Sequence, residues 1–196
     1  MKAWLSTWVF GVLLACPLVA SPPERAQSES GLKALDAFIQ VAPLDSGEKI
    51  LGMVGFYGEP EPVQWLILSA SPEQPGVLRE SVFARGKVLA ERKFTPLPAQ
   101  DLPHLPILRS SLKVDSGEAF RIAEDLAHRQ KRSFDSVHFQ LRVRDLESEP
   151  VWMLNLINSS QVSIGVVYLS ASTGKILRES WAGASEANKA TKVSAR

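Results

Sequence analysis

Apolar residues recur every third or fourth position over residues 31–42, where Leu32, Leu35, Ile39 and Ala42 fall on one stripe with Phe38 beside it. That spacing predicts a helix, and Pro43 ends it. From residue 49 the apolar positions crowd into short runs bounded by Gly, Pro and Ser. They predict strands over 49–57, 62–70, 77–85 and 87–94, the last two joined by a tight turn at Arg85-Gly86. The same series then starts again. Asp115-Ser116-Gly117-Glu118 has the spacing of a capping box, and Ala119, Ile122, Ala123 and Leu126 make one helical face that runs to about Gln130. Val137, Phe139, Leu141 and Val143 alternate with His138, Gln140, Arg142 and Arg144, the period of a half-buried strand. Further strands are predicted over 151–157, 163–170 and 175–181, with a turn at Ser172-Thr173-Gly174.

Between the two series, residues 95–110 hold Pro96, Pro98, Pro103 and Pro106. Prolines at that density remove backbone donors and exclude helix, so this stretch is an extended linker or a strap across the surface. The series also echo each other in sequence. Glu61-Pro62-Val63 recurs as Glu149-Pro150-Val151, and Gly86-Lys87-Val88-Leu89 as Gly174-Lys175-Ile176-Leu177, both 88 positions on. A shared offset implies two copies of one unit. The expected architecture is α+β, with two tandem repeats, each a helix packed on an antiparallel meander of about four strands. The expected boundaries are an export signal at 1–20, a flexible leader at 21–30, a first repeat at 31–94, a Pro-rich linker at 95–113, a second repeat at 114–182 and a polar tail at 183–196.

The first twenty residues change the picture of where the protein acts. Lys2 is their only charge, residues 4–15 are an apolar run, and Leu18-Val19-Ala20 ends on a small residue suited to cleavage. Cys16 is the only cysteine of the chain, and Leu13-Leu14-Ala15-Cys16 resembles a lipobox, in which the thiol becomes the lipidated first residue. Cleavage after Ala20 and lipidation at Cys16 both remain open, and either leads to an exported protein, periplasmic or secreted. The folded part then has no disulfide. Without the first twenty residues the chain carries 21 basic and 21 acidic residues. This balance, with no basic stripe, argues against a nucleic-acid partner. It leaves a lipid on Cys16 as the only expected membrane contact.

The second series resembles a PepSY domain over roughly residues 114–181. The resemblance rests on Glu118-Ala119-Phe120-Arg121-Ile122-Ala123, on Pro150-Val151-Trp152-Met153-Leu154, and on the run from Val167 through Thr173-Gly174-Lys175 to Leu177. It implies a helix on an antiparallel sheet (PepSY/cystatin-like), with the first series a diverged copy. It also implies a setting outside the cytoplasm and a protein-binding or inhibitory role, in some members toward a peptidase. It brings no catalytic residues and no cofactor.

The side chains agree with a non-enzymatic reading. His104, His128 and His138 lack metal-ligand spacing, and no Gly-x-Ser-x-Gly elbow is present. Asp145 and Glu147 read as the end of a solvated strand. His138, Arg142 and Arg144 share the polar face of one strand, where the arginines can meet a partner's carboxylates. Solvated pairing with neighbouring acids accounts for them more simply. Trp65 and Trp152 lie in segments apolar on both faces, so one face needs a second cover: the other repeat, the strap or a partner protein. The expectation is a protein that binds or inhibits another envelope or secreted protein, a peptidase among the candidates. The alternative is a small-ligand carrier or unrecognised enzyme with a pocket between helix and sheet.

Overall fold

The computed structural model describes residues 28–42, 48–97, 102–144 and 148–183. The expected export signal with Cys16, most of the expected leader, Pro43, Pro98, Asp145, Glu147 and most of the expected tail lie outside the described residues. The elements run α1 (Gly31–Val41), β1 (Lys49–Gly58), β2 (Trp65–Ala70), β3 (Leu78–Ala84) and β4 (Lys87–Phe94). They continue with α2 (Ser116–Arg129), β5 (Ser136–Val143), β6 (Pro150–Ile157), β7 (Ser163–Ser170) and β8 (Ile176–Trp181).

The expectation of two tandem helix-plus-meander repeats is overturned. All eight strands form one antiparallel sheet in the order β4-β3-β2-β1-β5-β6-β7-β8, with two helices beside it. The join is β1 against β5, where Met53 pairs with Leu141 and Gly55 with Phe139. Two separate meanders would each have left their first strand, β1 or β5, as an edge with a row of unpaired N–H and C=O groups, which pairing across the join satisfies.

The core is shared across the join as well. Trp65 of β2, Phe139 of β5 and Trp152 of β6 pack with ring centroids 5.8, 6.0 and 6.1 Å apart, and all three are at most 1% exposed. The helices cover this face, α1 over β3 and β4 and α2 over β6, and they touch each other. Alanines make the close approach possible: Ala34 in α1, and Ala119 and Ala123 in α2, are fully buried. Each tryptophan also ties down the entry to a helix. Trp65 Nε1 donates to the Glu29 carbonyl at 2.8 Å and Trp152 Nε1 to the Val114 carbonyl at 2.9 Å.

The 88-residue echo does not carry the three-dimensional equivalence. At that offset Trp65 would match Met153, but Met153 points away from the helices, and Trp152, one residue earlier, fills the corresponding core position. A one-residue shift reverses every side chain of a strand. The glycine turns differ too. Arg85 and Gly86, both at positive φ, form a two-residue link with Ala84 paired to Lys87. Gly174, at φ 75°, closes a longer turn in which its N–H donates to the Ser170 carbonyl and the Lys175 carbonyl accepts from Ser170 N.

The Pro-rich segment is a strap. Pro103 lies against Gly52 on the helix-free face of the sheet, and Ile107 N donates to the Ile50 carbonyl at 2.8 Å. Leu105 and Ile107 join the core on the other side of β1. Residues 102–108 of the strap pass round the start of β1 toward α2.

Candidate functional site

The helix-free face is the surface on which a site can be built. One register row crosses all eight strands there. From β4 to β1 it reads Ala90, Val82, Leu66 and Val54, and from β5 to β8 Gln140, Met153, Tyr168 and Arg178. Along this row the β4-to-β1 half is apolar and the β5-to-β8 half mixed. The strap divides the apolar half from its end. On one side lies a cavity of about 130 Å³ lined by Val54, Leu66, Leu68, Phe94, Leu102 and Pro103, with Glu80 and Gln140 as its polar groups. Glu80 is held by Arg92 through two hydrogen bonds of 3.0 and 2.9 Å. On the other side a depression of about 220 Å³ is bordered by Leu51, Ala70, Pro72, His104 and Pro106.

The far end of β1 carries an aromatic cluster. Phe56 and Tyr57 are 47% and 52% exposed, yet both stand edge-on to His138 at 5.3 and 4.4 Å between centroids. Two successive strand residues normally point to opposite faces. Here Tyr57 has φ 53°, beside the irregularity in pairing between Gly55 and Gly58, and both rings reach one imidazole. His138 Nε2 is enclosed without a hydrogen-bond partner among the described residues. Burial lowers its pKa from the ordinary imidazole value, which favours the neutral ring.

A second polar cluster lies where the helices begin. Asp115 caps both of them: its carboxylate accepts from Ser116 N at 2.7 Å and from Leu32 N at 2.8 Å, and Ser30 Oγ donates to it at 2.6 Å. Ser116 Oγ accepts from Gly31 N at 2.7 Å and donates to Glu61 at 2.5 Å. Glu61 comes from the β1–β2 loop. Burial pushes its carboxyl up to about 7, the neighbouring Asp115 adds to the rise, and hydrogen bonds from Ser116 and Gly117 oppose it.

The expected site residues separate. Trp65 and Trp152 are core residues and do not face a partner. His138 and Arg142 share the helix-free face of β5, four residues and roughly 13 Å apart. Arg142 is half-buried, and Arg144 is exposed just beyond the strand end. Sequence reasoning missed Phe56, Tyr57 and Glu61. The Phe56-Tyr57-Gly58 run ahead of a proline-bracketed glutamate was the available signal. Among the described residues no group of three or more His, Cys, Asp or Glu is placed to hold a metal ion. Nor is any helix there long and apolar enough to cross a membrane.

No protein-family model matches the chain, and no curated protein gives a significant match. Among solved structures, the chain is similar to a crystallised protein from Clostridium difficile 630 described as a putative lipoprotein. The TM-score is 0.50 at 11% identity, over 76% of this chain and 90% of that one. At that identity the likeness concerns the fold.

Proposed function

We propose that this chain is an exported, non-enzymatic protein that binds or inhibits another envelope or secreted protein through the helix-free face of its sheet. The carrying observation is the exposed pair Phe56 and Tyr57, backed by His138. Preformed aromatic side chains with a rigid backing supply most of the affinity in protein interfaces. The neighbouring cavity of about 130 Å³ is the size of one apolar side chain. It is well below the roughly 300 Å³ at which pockets for free ligands begin, which favours a protein partner over the carrier reading. Phe38, Trp65, Phe139 and Trp152 are buried between helices and sheet, which also favours the protein-binding reading.

The PepSY resemblance of residues 114–181 supports a binding or inhibitory role and makes an envelope peptidase one candidate partner. Export is supported by the apolar N-terminal run and by the lipoprotein description of the Clostridium difficile neighbour. Lipidation at Cys16 is the finer form of that proposal and cleavage after Ala20 its competitor. Mass spectrometry of the mature N-terminus distinguishes them.

A photo-crosslinking residue placed at position 56 or 57, in the cells that make the protein, tests the surface. The expected result is one identified exported protein captured from both positions and not from position 33, an exposed site on α1. Equal capture from position 33, or none from 56 and 57, removes the proposal.

A further inference from the structure

We propose that Glu61 is a proton-operated latch that fastens the β1–β2 loop, residues 59–64, to the starts of both helices. Glu61 is the loop's polar handle on the helices: its carboxyl meets the Ser116 hydroxyl and the Gly117 N–H. The Gly31 N–H donates to Ser116 Oγ, and the Ser116 hydroxyl donates to Glu61, so one side chain ends a relay that begins in α1 and passes through α2. The fit around it is close: a Cβ on Gly117 would stand 2.7 Å from Glu61 Oε1, so the carboxyl rests directly on the first turn of α2.

A neutral carboxyl suits this place better than a charged one. Its nearest ionised neighbour, Asp115, is itself fixed by Ser30, Leu32 and Ser116. Arg109 offers little compensation to Glu61, because its guanidinium is engaged bidentately by Asp36 at 2.5 and 2.8 Å. At the start of α1, Glu29 pairs with Lys33 at 3.8 Å. Glu118 follows in the first turn of α2, and Glu59 shares the loop. The surroundings are thus mainly acidic, and burial lowers the pKa of His138 on β5, which disfavours a positive charge there. The sign follows. A fastened Glu61 holds its proton up to about pH 7, whereas a released, hydrated one gives it up near the ordinary value of 4.5. Release is therefore favoured as pH rises through this interval, and fastening as it falls.

Amide hydrogen exchange of the full chain at pH 5.5 and pH 8, corrected for the intrinsic pH dependence, tests the latch at Gly58, Val63, Gln64 and Gly31. The expected result is about tenfold or greater loss of protection at pH 8 in these amides, with β6 unchanged. Glu61→Gln keeps the shape and removes the charge, and should be protected equally at both pH values. Ser116→Ala keeps the charge and removes the relay, and should leave the loop weakly protected at both. Equal protection of the unaltered protein at both pH values overturns the proposal, as does a Glu61→Gln protein that keeps the original dependence. Carboxyl carbon NMR of the unaltered protein covers the case of a variant that does not fold. A Glu61 midpoint near 7, moving with the Gly117 amide, upholds the latch, and a midpoint in the ordinary glutamate range overturns it.

Discussion

Single side chains here act by what they hold in place. Trp65 and Trp152 show this most directly, since each fills the shared core and anchors a helix entry through its indole N–H. Replacing either by alanine opens a large cavity and strands a backbone carbonyl, so a loss of about 3–5 kcal/mol is expected in denaturant unfolding. A loss below about 1 kcal/mol would mean that the tryptophan is not a core residue. Glu61 acts in the opposite sense. Its folded pKa of about 7 lies above the ordinary 4.5, so the folded state binds more protons than the unfolded state between these values. Its contribution to stability is therefore highest below pH 4.5 and is lost as pH rises through about 7. The carboxyl is half-buried and partly screened by water, so the difference is on the order of 1–2 kcal/mol. Glu61→Gln is expected to remove this slope and to match or exceed the original stability at pH 8. Asp36 has the reverse sign. The Arg109 hydrogen bonds lower its pKa, so its small contribution is present at neutral pH and disappears as the solution is acidified through the carboxylate range.

At the scale of elements, the strap and the β1–β2 loop set the character of the helix-free face. Gly52 is where strap and sheet meet: a Cβ there would stand 2.9 Å from Pro103 Cγ and 3.2 Å from the Leu141 carbonyl. Gly52→Ala must therefore push the strap away, at a cost of about 1–3 kcal/mol. Faster proteolysis within residues 102–108, with the sheet intact, is the expected readout. Unchanged cleavage would show that the strap is not seated on β1. Most elements were legible in the sequence because period and punctuation agree with the fold. The helix from Asp115 has its cap, and β5 alternates cleanly from Val137 to Val143. The pairing of β1 with β5 was not legible, since nothing in either strand names a partner 79 to 90 residues away (137 − 58 and 142 − 52). The core face of β2 was not legible either, for a related reason. Trp65 to Leu68 is apolar at every position, so alternation could not tell which pair faces the helices. Of the site, His138 and its face were visible. The left-handed Tyr57 that brings two rings onto His138 is a backbone event with no mark in residue type.

Over the whole molecule, the continuous sheet turns two similar-looking series into one cooperative body. β1 and β5 would each be the edge of its own series, but in the continuous sheet each hydrogen-bonds on both sides, and their shared register carries Met53, Leu141 and Phe139 into the common core. A fragment of residues 28–97 would keep α1 and β1 to β4. It would lose Phe139 and Trp152 from the side of Trp65, Asp115 from the α1 N-terminus, and the whole β5 edge from β1. The unpaired edge and exposed aromatic surface it gains are those that lead chains to aggregate. Neither this fragment nor residues 102–183 is therefore expected to fold alone, and the intact chain should unfold in a single transition with coincident fluorescence and circular dichroism midpoints. Mixing the two fragments should restore structure, since every lost contact lies between them. A dispersed amide spectrum from either fragment on its own, or two separated unfolding steps in the intact chain, would return the molecule to a pair of independent units. The Trp65–Trp152 contact would then be an interface rather than a core.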